Sequence, residues 1–233
     1  MKFENTEVWG FEHSIRGMRN PLESWSKSDS CFCSDLKCSA SKCRLFVDSK
    51  CLKSKLIDFI IGKNDLELMQ KLIRAGTPHR KFMRQIFVSV DITAPLYWWK
   101  EFDTYKVGTT ANSTSTMHKL ASTPITKECF EMGDFIQSDS SFETDNIHHI
   151  WRELIVHLEN TRVKYNETKD KRYWKELIRL LPESWLQTRT ITMTYENILK
   201  MIQERKNHKL TEWSESFINW TKSLPYAEDL LFL

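Results

Sequence analysis

Alternating apolar and polar residues predict two strands, one before the middle of the chain and one in its last quarter. The first alternation covers residues 86–93, where Ile86, Val88 and Val90 fall on one side. A second alternation covers residues 188–193. Successive side chains of a strand point to opposite faces, so each segment predicts a strand with one buried face.

Apolar residues recur every three or four positions in other segments, which is the pattern of amphipathic helices. The predicted helices cover residues 65–75, 96–102, 145–165, 171–181, 196–205 and 211–223. Asn64 is the predicted N-cap of the first helix, and Gly76 is its predicted stop. Strands that alternate with such helices predict a mixed α+β domain.

Two segments lack these periodicities. Residues 26–55 are rich in Cys, Ser and Lys, a composition typical of an insertion or a long loop. Residues 107–116 carry a hydroxyl or an amide at most positions and have little to bury, so they predict a loop of the kind that often contacts ligands. The length of 233 residues suits a single domain over residues 1–233, with the cysteine-rich segment as an insertion.

Composition narrows the expected partners and location. The chain has 34 basic and 31 acidic residues and a net charge of +3, which is too balanced to predict nucleic-acid binding. Apolar runs are too short for a transmembrane helix, so no membrane association is expected. The first residues contain no apolar signal segment, and the expected location is therefore the cytoplasm, where disulfides are rare.

Five cysteines lie close together in the proposed insertion: Cys31, Cys33, Cys38, Cys43 and Cys51. Clustered thiols in a reducing compartment suggest a zinc site, and with it a metal-stabilised interaction module. The spacing fits poorly, because a single residue separates the first two cysteines and no second paired knuckle follows. Free thiols on a surface insertion are the favoured alternative.

The usual catalytic and nucleotide-binding motifs are missing. The sequence contains no Gly-x-Gly-x-x-Gly, no P-loop and no Gly-x-Ser-x-Gly, so it supports neither an ordinary Rossmann site nor a serine hydrolase elbow. Cations are instead dispersed around the predicted strands, at His79, Lys100, Lys106, Arg189 and Arg205. Together with neighbouring hydroxyls and amides, such cations suit a phosphorylated ligand, although each one alone is more often a solvated charge.

Residues 64–120 follow the order helix, His79, strand, Ala-Pro pair and helix, and then reach Thr110, Asn112 and Ser115. This order resembles the flavin-dependent thymidylate synthase family, whose signature reads Arg-His-Arg-x-x-Ser-x-Asn-x-x-Ser-x-Arg-Tyr. In that alignment, Thr110 stands at the first Ser, Asn112 at the Asn and Ser115 at the second Ser.

The chain departs from the signature at both ends. Tyr105-Lys106-Val107 replaces the basic triplet, so Lys106 is the cation that remains there. Met117 stands at the last Arg and His118 at the Tyr. We expect this altered form to be of the phage and prophage type.

A second block, residues 180–213, resembles the same family. It contains Leu181-Pro182, then Thr188-Arg189 and a helix that reaches Arg205. The matching arginines of the family contact the nucleotide, so the resemblance implies this role for Arg189 and Arg205.

The resemblance implies a mixed or antiparallel sheet flanked by helices, and homotetramers that bind FAD between subunits. It implies reductive methylation of dUMP or a related pyrimidine deoxynucleotide, with methylenetetrahydrofolate and NADPH as co-substrates. Because the signature is altered, the alternative is a non-catalytic nucleotide-binding protein on the same fold.

The resemblance also implies three sets of site residues. The predicted catalytic residues are Ser115 and Arg205. The predicted cofactor-binding residues are His79, Lys106, Thr110 and Asn112. The predicted substrate-binding residues are Ser115, Arg189, Arg205 and Lys100.

Overall fold

The computed structural model describes residues 1–32, 59–133 and 147–233. The strands in these ranges are β1 (Lys2–Trp9), β2 (Cys31–Phe32), β3 (Phe59–Ile60), β4 (Phe87–Pro95), β5 (Thr110–Ser113) and β6 (Leu186–Thr194). The α-helices are α1 (Phe11–Arg19), α2 (Lys63–Arg74), α3 (Leu96–Phe102), α4 (Thr116–Lys119), α5 (Ile147–Thr168), α6 (Lys171–Leu180), α7 (Tyr195–Arg205), α8 (Ile218–Lys222) and α9 (Ala227–Leu230). A π-helical segment, Glu212–Phe217, leads directly into α8.

Four strands form one sheet in the order β1-β4-β6-β5, and β2 pairs with β3 in a separate antiparallel ribbon. Strands β4 and β6 are antiparallel, because their bonded side chains step in opposite directions along the two strands. These pairs are Thr93–Thr188, Asp91–Thr190 and Ser89–Thr192. The predicted α+β class, with an antiparallel sheet and flanking helices, is confirmed.

Strand β4 shows the burial that the alternation predicts. Val88, Val90 and Ile92 are at most 1% exposed, whereas Phe87 and Ser89 on the opposite face are half-buried. One face of β4 is therefore packed in the core, and the other carries the hydroxyl and carboxylate groups that bridge to β6.

The predicted helix at residues 65–75 is confirmed, but the predicted N-cap at Asn64 is wrong. Helix α2 already begins at Lys63, with Gly62 as its N-cap. The reason is non-local: the carboxylate of Asp29 accepts the backbone N–H groups of Asn64 (2.9 Å) and Asp65 (3.1 Å), which caps the helix from another segment.

The prediction of a loop throughout residues 107–116 is also wrong. Residues Thr110–Ser113 form strand β5, with all four side chains exposed. The segment has no apolar alternation because neither of its faces is buried. Pairing holds it in place, and the backbone N–H of Thr114 donates to the carbonyl of Thr188 at 2.9 Å.

The chain divides into two compact units. Unit 1 comprises the described residues of Met1–Lys2, Ile92–Thr104 and Asn112–Arg189. Unit 2 comprises those of Phe3–Asp91, Tyr105–Ala111 and Thr190–Leu233.

Each unit has its own apolar core. In unit 1, a cluster forms around α5 and α6 from Leu120, Ile125, Phe130, Leu158 and Leu177, all at most 4% exposed. In unit 2, fully buried side chains from several elements form the core, among them Met69, Met83, Tyr195, Trp213 and Phe217.

Four of the five clustered cysteines lie outside the described residues: Cys33, Cys38, Cys43 and Cys51. Cys31 is described and is half-buried with a free thiol. Within the three described ranges, no three His, Cys, Asp or Glu side chains are grouped so that they could hold a metal ion. No helix in these ranges is long and apolar enough to cross a membrane.

Candidate functional site

Arg189 is held rigidly in unit 1, near the start of β6. Its Nε donates to Oε1 of Gln187 at 3.0 Å, and its Nη1 donates to Oδ1 of Asp103 at 2.8 Å. The guanidinium carbon lies 4.3 Å from the centre of the Trp99 ring, and the indole N–H of Trp99 donates to the Gln187 carbonyl. Stacking and two directed hydrogen bonds therefore fix the plane of the guanidinium.

One edge of this guanidinium remains available. In the described part of the chain, Nη2 of Arg189 has no hydrogen-bond partner. A guanidinium carries five N–H donors, so the remaining ones suit the oxygens of a phosphate or a carboxylate. Asp103 offsets the positive charge, so the group would select an anion by geometry more than by net charge.

The β5 segment is joined to this group. Nε2 of Gln187 donates to the carbonyl of Thr114 at 2.9 Å, across 73 positions of sequence. This bond and the pairing with β6 bring the predicted residues Asn112 and Ser115 into the neighbourhood of Arg189. Asn112 has an exposed side chain, whereas Ser115 is half-buried.

Ser115 has a structural role as the N-cap of α4. Its Oγ accepts the backbone N–H of His118 at 3.3 Å and lies 2.8 Å from Nδ1 of the same His118. The hydroxyl of Ser115, which the resemblance aligns with the signature's second Ser, and the imidazole of His118, which it aligns with the Tyr, are therefore hydrogen-bonded to each other.

Arg205 lies in unit 2 at the end of α7, next to two aromatic rings that also contact each other. Its guanidinium carbon is 5.5 Å from the centre of the Tyr105 ring and 5.2 Å from that of Trp213. Its Nε donates to the Tyr105 hydroxyl at 2.8 Å, and that hydroxyl donates to Glu204 at 2.7 Å. Burial and the bond to Glu204 raise the pKa of Tyr105 despite the opposing effect of Arg205, so Tyr105 stays neutral.

The segment around Lys106 is pinned to α7. The side chain of Asn197 donates to the carbonyl of Val107 at 2.8 Å. Gly108 has φ +82°, a backbone conformation that favours glycine, and an added Cβ would lie 3.0 Å from Oδ1 of Asn197. The side chains of Lys106 and Thr110 are both exposed.

His79 and Lys100 have other neighbours in the described residues. His79 is exposed and precedes Arg80, whose Nε contacts both carboxylate oxygens of Glu196 at 3.0 and 3.1 Å. Lys100 is exposed on α3 and forms an ion pair with Glu183 at 2.6 Å. Neither residue is hydrogen-bonded to another predicted site residue in the described ranges.

The predicted site residues are thus distributed over both units. Unit 1 holds Lys100, Asn112, Ser115 and Arg189, and unit 2 holds His79, Lys106, Thr110 and Arg205. Sequence reasoning missed the residues that orient the two arginines: Trp99, Asp103 and Gln187 for Arg189, and Tyr105 and Trp213 for Arg205. The signal that could have found two of them is the abundance of tryptophan, with 9 in the chain.

No protein-family model matches the chain, and no curated protein sequence matches it. Solved structures do resemble it. A crystal structure of the flavin-dependent thymidylate synthase ThyX from Helicobacter pylori, complexed with FAD and dUMP, matches with a TM-score of 0.62 and 16% identity, covering 100% of this chain and 98% of that chain. A second structure of Helicobacter pylori ThyX with FAD and dUMP matches with a TM-score of 0.64 and 16% identity, covering 100% and 97%. The likeness extends over the whole length of both chains and shows a shared fold.

Proposed function

We propose that the protein is a thymidylate synthase-like flavoprotein that carries out the reductive methylation of dUMP or of a related pyrimidine deoxynucleotide. In this proposal FAD is the cofactor, methylenetetrahydrofolate supplies the carbon, and NADPH supplies the reducing equivalents. We further propose a homotetramer in the cytoplasm. The full-length likeness to ThyX structures that contain FAD and dUMP supports the proposal.

The observation that carries the proposal is the state of Arg189. Its guanidinium is fixed by Trp99, Asp103 and Gln187, and Nη2 has no hydrogen-bond partner in the described residues. Ordering a long side chain costs free energy, and a guanidinium that is already ordered gives up less on binding. This is the arrangement expected of a residue that receives the phosphate of a nucleotide.

The side chains near β5 suit the cofactor. Thr110 and Asn112 expose hydroxyl and amide groups, and Lys106 adds an exposed positive charge. We propose that these residues, with His79, hold FAD, which supplies the hydride chemistry when bound. Ser115, Lys100, Arg189 and Arg205 would contact the nucleotide, with Ser115 and Arg205 stabilising the charge that develops on the pyrimidine.

A second candidate is a nucleotide-binding protein without redox chemistry. The observation that favours it is the replacement of the basic triplet by Tyr105-Lys106-Val107. The hydroxyl of Tyr105 is bonded within the chain to Glu204 and Arg205, so this position has a structural partner in place of a ligand-binding guanidinium.

Three measurements test these proposals. The absorption spectrum of the purified protein should show bound flavin that is released on denaturation, and the flavin-loaded protein should convert dUMP to dTMP. Calorimetric titration with dUMP should show about tenfold weaker binding for Arg189→Lys, which keeps the charge and loses the planar fork. Arg179→Gln, an exposed change on α6, is the control and should bind like the parent protein.

The results separate the two candidates. Binding of dUMP that depends on Arg189, without flavin and without turnover, would support the non-catalytic protein. A colourless protein that takes up no FAD and gives no heat with dUMP would contradict both candidates.

A further inference from the structure

A cavity of 340 Å³ lies in unit 2 between α1 and the β2–β3 ribbon. One wall is a single face of α1, which contributes Glu12, Ile15, Arg16 and Arg19 at helical spacing. The proposed nucleotide and flavin residues do not line this cavity. Its volume is near the lower end of the range for small-molecule sites, about 300–1,000 Å³.

Two oriented aromatic rings line the cavity. Trp25 is 49% exposed and Phe32 is 42% exposed, although both are large apolar side chains. The indole N–H of Trp25 donates to Oδ1 of Asn20 at 2.9 Å, and Phe32 packs edge-on against Phe59 with ring centres 5.0 Å apart. Single exposed aromatics are common on protein surfaces, but two held rings at one cavity provide flat surface for a planar ligand.

The polar lining favours an anion. Arg19 is 4% exposed, and its Nε and Nη1 are bonded to Asp65 (2.6 Å) and to the carbonyl of Ser24 (3.3 Å). Nη2 of this buried guanidinium has no hydrogen-bond partner in the described residues. Arg16 is exposed, and its Nη2 lies 3.4 Å from Nδ1 of His13.

The charge of Arg19 is already compensated by Asp65, and that of Arg16 is opposed by Glu12, so an anionic group would be held by the N–H donors of Arg16 and by Nη2 of Arg19 rather than by excess positive charge. Glu12 and Arg16 are four residues apart, which places them one turn apart on α1. Such a wall suits a ligand that carries both an anionic group and an N–H donor. The hydroxyl groups of Ser28 and Ser30, which also line the cavity, donate to Asp65 and leave only oxygen lone pairs for a ligand.

We propose that this cavity binds a small planar aromatic molecule with an anionic substituent. The ring lies against Trp25 and Phe32, and the anionic group contacts Arg16 and Arg19. The site is separate from the proposed thymidylate synthase chemistry and does not depend on it.

The test is a fluorescence titration of the full chain with two matched probes. Anilinonaphthalene sulfonate has a flat ring, an N–H and an anionic group, and N-phenylnaphthylamine has the same ring system without the sulfonate. Arg16→Gln should weaken binding of the sulfonate about tenfold and leave binding of the neutral probe unchanged. Trp25→Leu should weaken both, and Arg74→Gln, an exposed change on α2, should alter neither.

Other outcomes overturn the proposal. The proposal is wrong if the protein does not bind anilinonaphthalene sulfonate. It is also wrong if Arg16→Gln and Arg74→Gln change the affinity for this probe equally, or if Trp25→Leu leaves the affinity for both probes unchanged. Displacement of the sulfonate by FAD or dUMP would also overturn it, because the probe would then occupy a nucleotide site. A protein that binds neither flavin nor dUMP can still bind the probe as described, so this test and that of the proposed function fail independently.

Discussion

Replacing Asp65 by Asn should strongly destabilise unit 2, because this buried carboxylate joins three segments of the chain. Asp65 is 0% exposed at the start of α2. Its Oδ1 accepts Nε of Arg19 at 2.6 Å. Its Oδ2 accepts the hydroxyls of Ser28 (2.7 Å) and Ser30 (2.6 Å) and the backbone N–H groups of Asp29 and Ser30.

The expected loss in the free energy of unfolding follows from the charge of Arg19, which the substitution leaves without a partner. Arg19 is 4% exposed, so removal of its partner charge leaves a buried guanidinium uncompensated. Breaking one side of a buried ion pair costs about 3–5 kcal/mol. An amide also cannot accept all the bonds that Oδ2 receives. We therefore expect Asp65→Asn to lower the free energy of unfolding by about 3–5 kcal/mol, which is a large fraction of the total of about 5–15 kcal/mol for a typical domain.

The stability difference between the parent protein and Asp65→Asn should become smaller at low pH. Burial raises the pKa of Asp65, but the hydrogen bonds from Ser30, Ser28 and Arg19 and the charge of Arg19 together lower it below its ordinary value. A lowered folded-state pKa gives stability that is present above the unfolded-state pKa of about 3.9 and is lost as the pH falls through the folded-state value. The difference between the parent protein and Asp65→Asn should be constant from about pH 5 to 8 and should shrink below about pH 4.

Urea unfolding followed by circular dichroism measures this difference. Glu67→Gln is the control on the same helix, since Glu67 is exposed and its ion pair with Lys63 is long at 3.8 Å; it should change stability by less than about 0.5 kcal/mol. A loss below about 1 kcal/mol for Asp65→Asn, or a difference that grows as the pH falls below 4, would refute the reasoning.

Two further predictions concern backbone conformation and helix capping. Gly10→Ala should destabilise the protein more than Gly76→Ala in thermal unfolding. Both glycines have positive φ, but an added Cβ at Gly10 would clash with the carbonyl oxygen of Gln85, whereas nothing lies within 4 Å of an added Cβ at Gly76. If both variants lose the same stability, about 1 kcal/mol each, the clash at Gly10 has no role. Thr194→Ala should lower the free energy of urea unfolding by about 0.5–2 kcal/mol, because Thr194 and Asn197 form a capping box at the start of α7. Thr194→Ser keeps the capping oxygen and should restore most of that stability.

Periodicity predicted most of the secondary structure because it reflects local geometry. The helix at residues 171–181 and the strand at residues 188–193 were located to within about two residues, which is the usual accuracy for element ends. Strand β5 and the N-cap of α2 depend on partners distant in sequence. No local pattern indicates that Asp29 caps a helix that begins at Lys63, or that an exposed polar segment pairs with β6.

Contacts between residues distant in sequence were also missed at the candidate site. The cations were visible in the sequence, and the family resemblance singled out Arg189 and Arg205. Their environments were not visible, because Asp103 lies 86 positions before Arg189 and Tyr105 lies 100 positions before Arg205. Whether an arginine is solvated or held by acidic and aromatic neighbours is decided by this long-range packing.

In the proposed function, these environments would make the two arginines unequal as ligands for a nucleotide. Arg205 lies next to the rings of Tyr105 and Trp213, and its Nε donates to a neutral Tyr105, which in turn donates its own proton to Glu204. If a phosphate recruited Nε, it would break a bond inside a half-buried group, at a cost of about 0.5–1.5 kcal/mol for the lost bond alone. Arg189 offers Nη2 without breaking either of its described hydrogen bonds. In the proposed function, a phosphate would therefore bind Arg189 without displacing a described hydrogen bond, whereas a contact with Nε of Arg205 would first require its bond to Tyr105 to break.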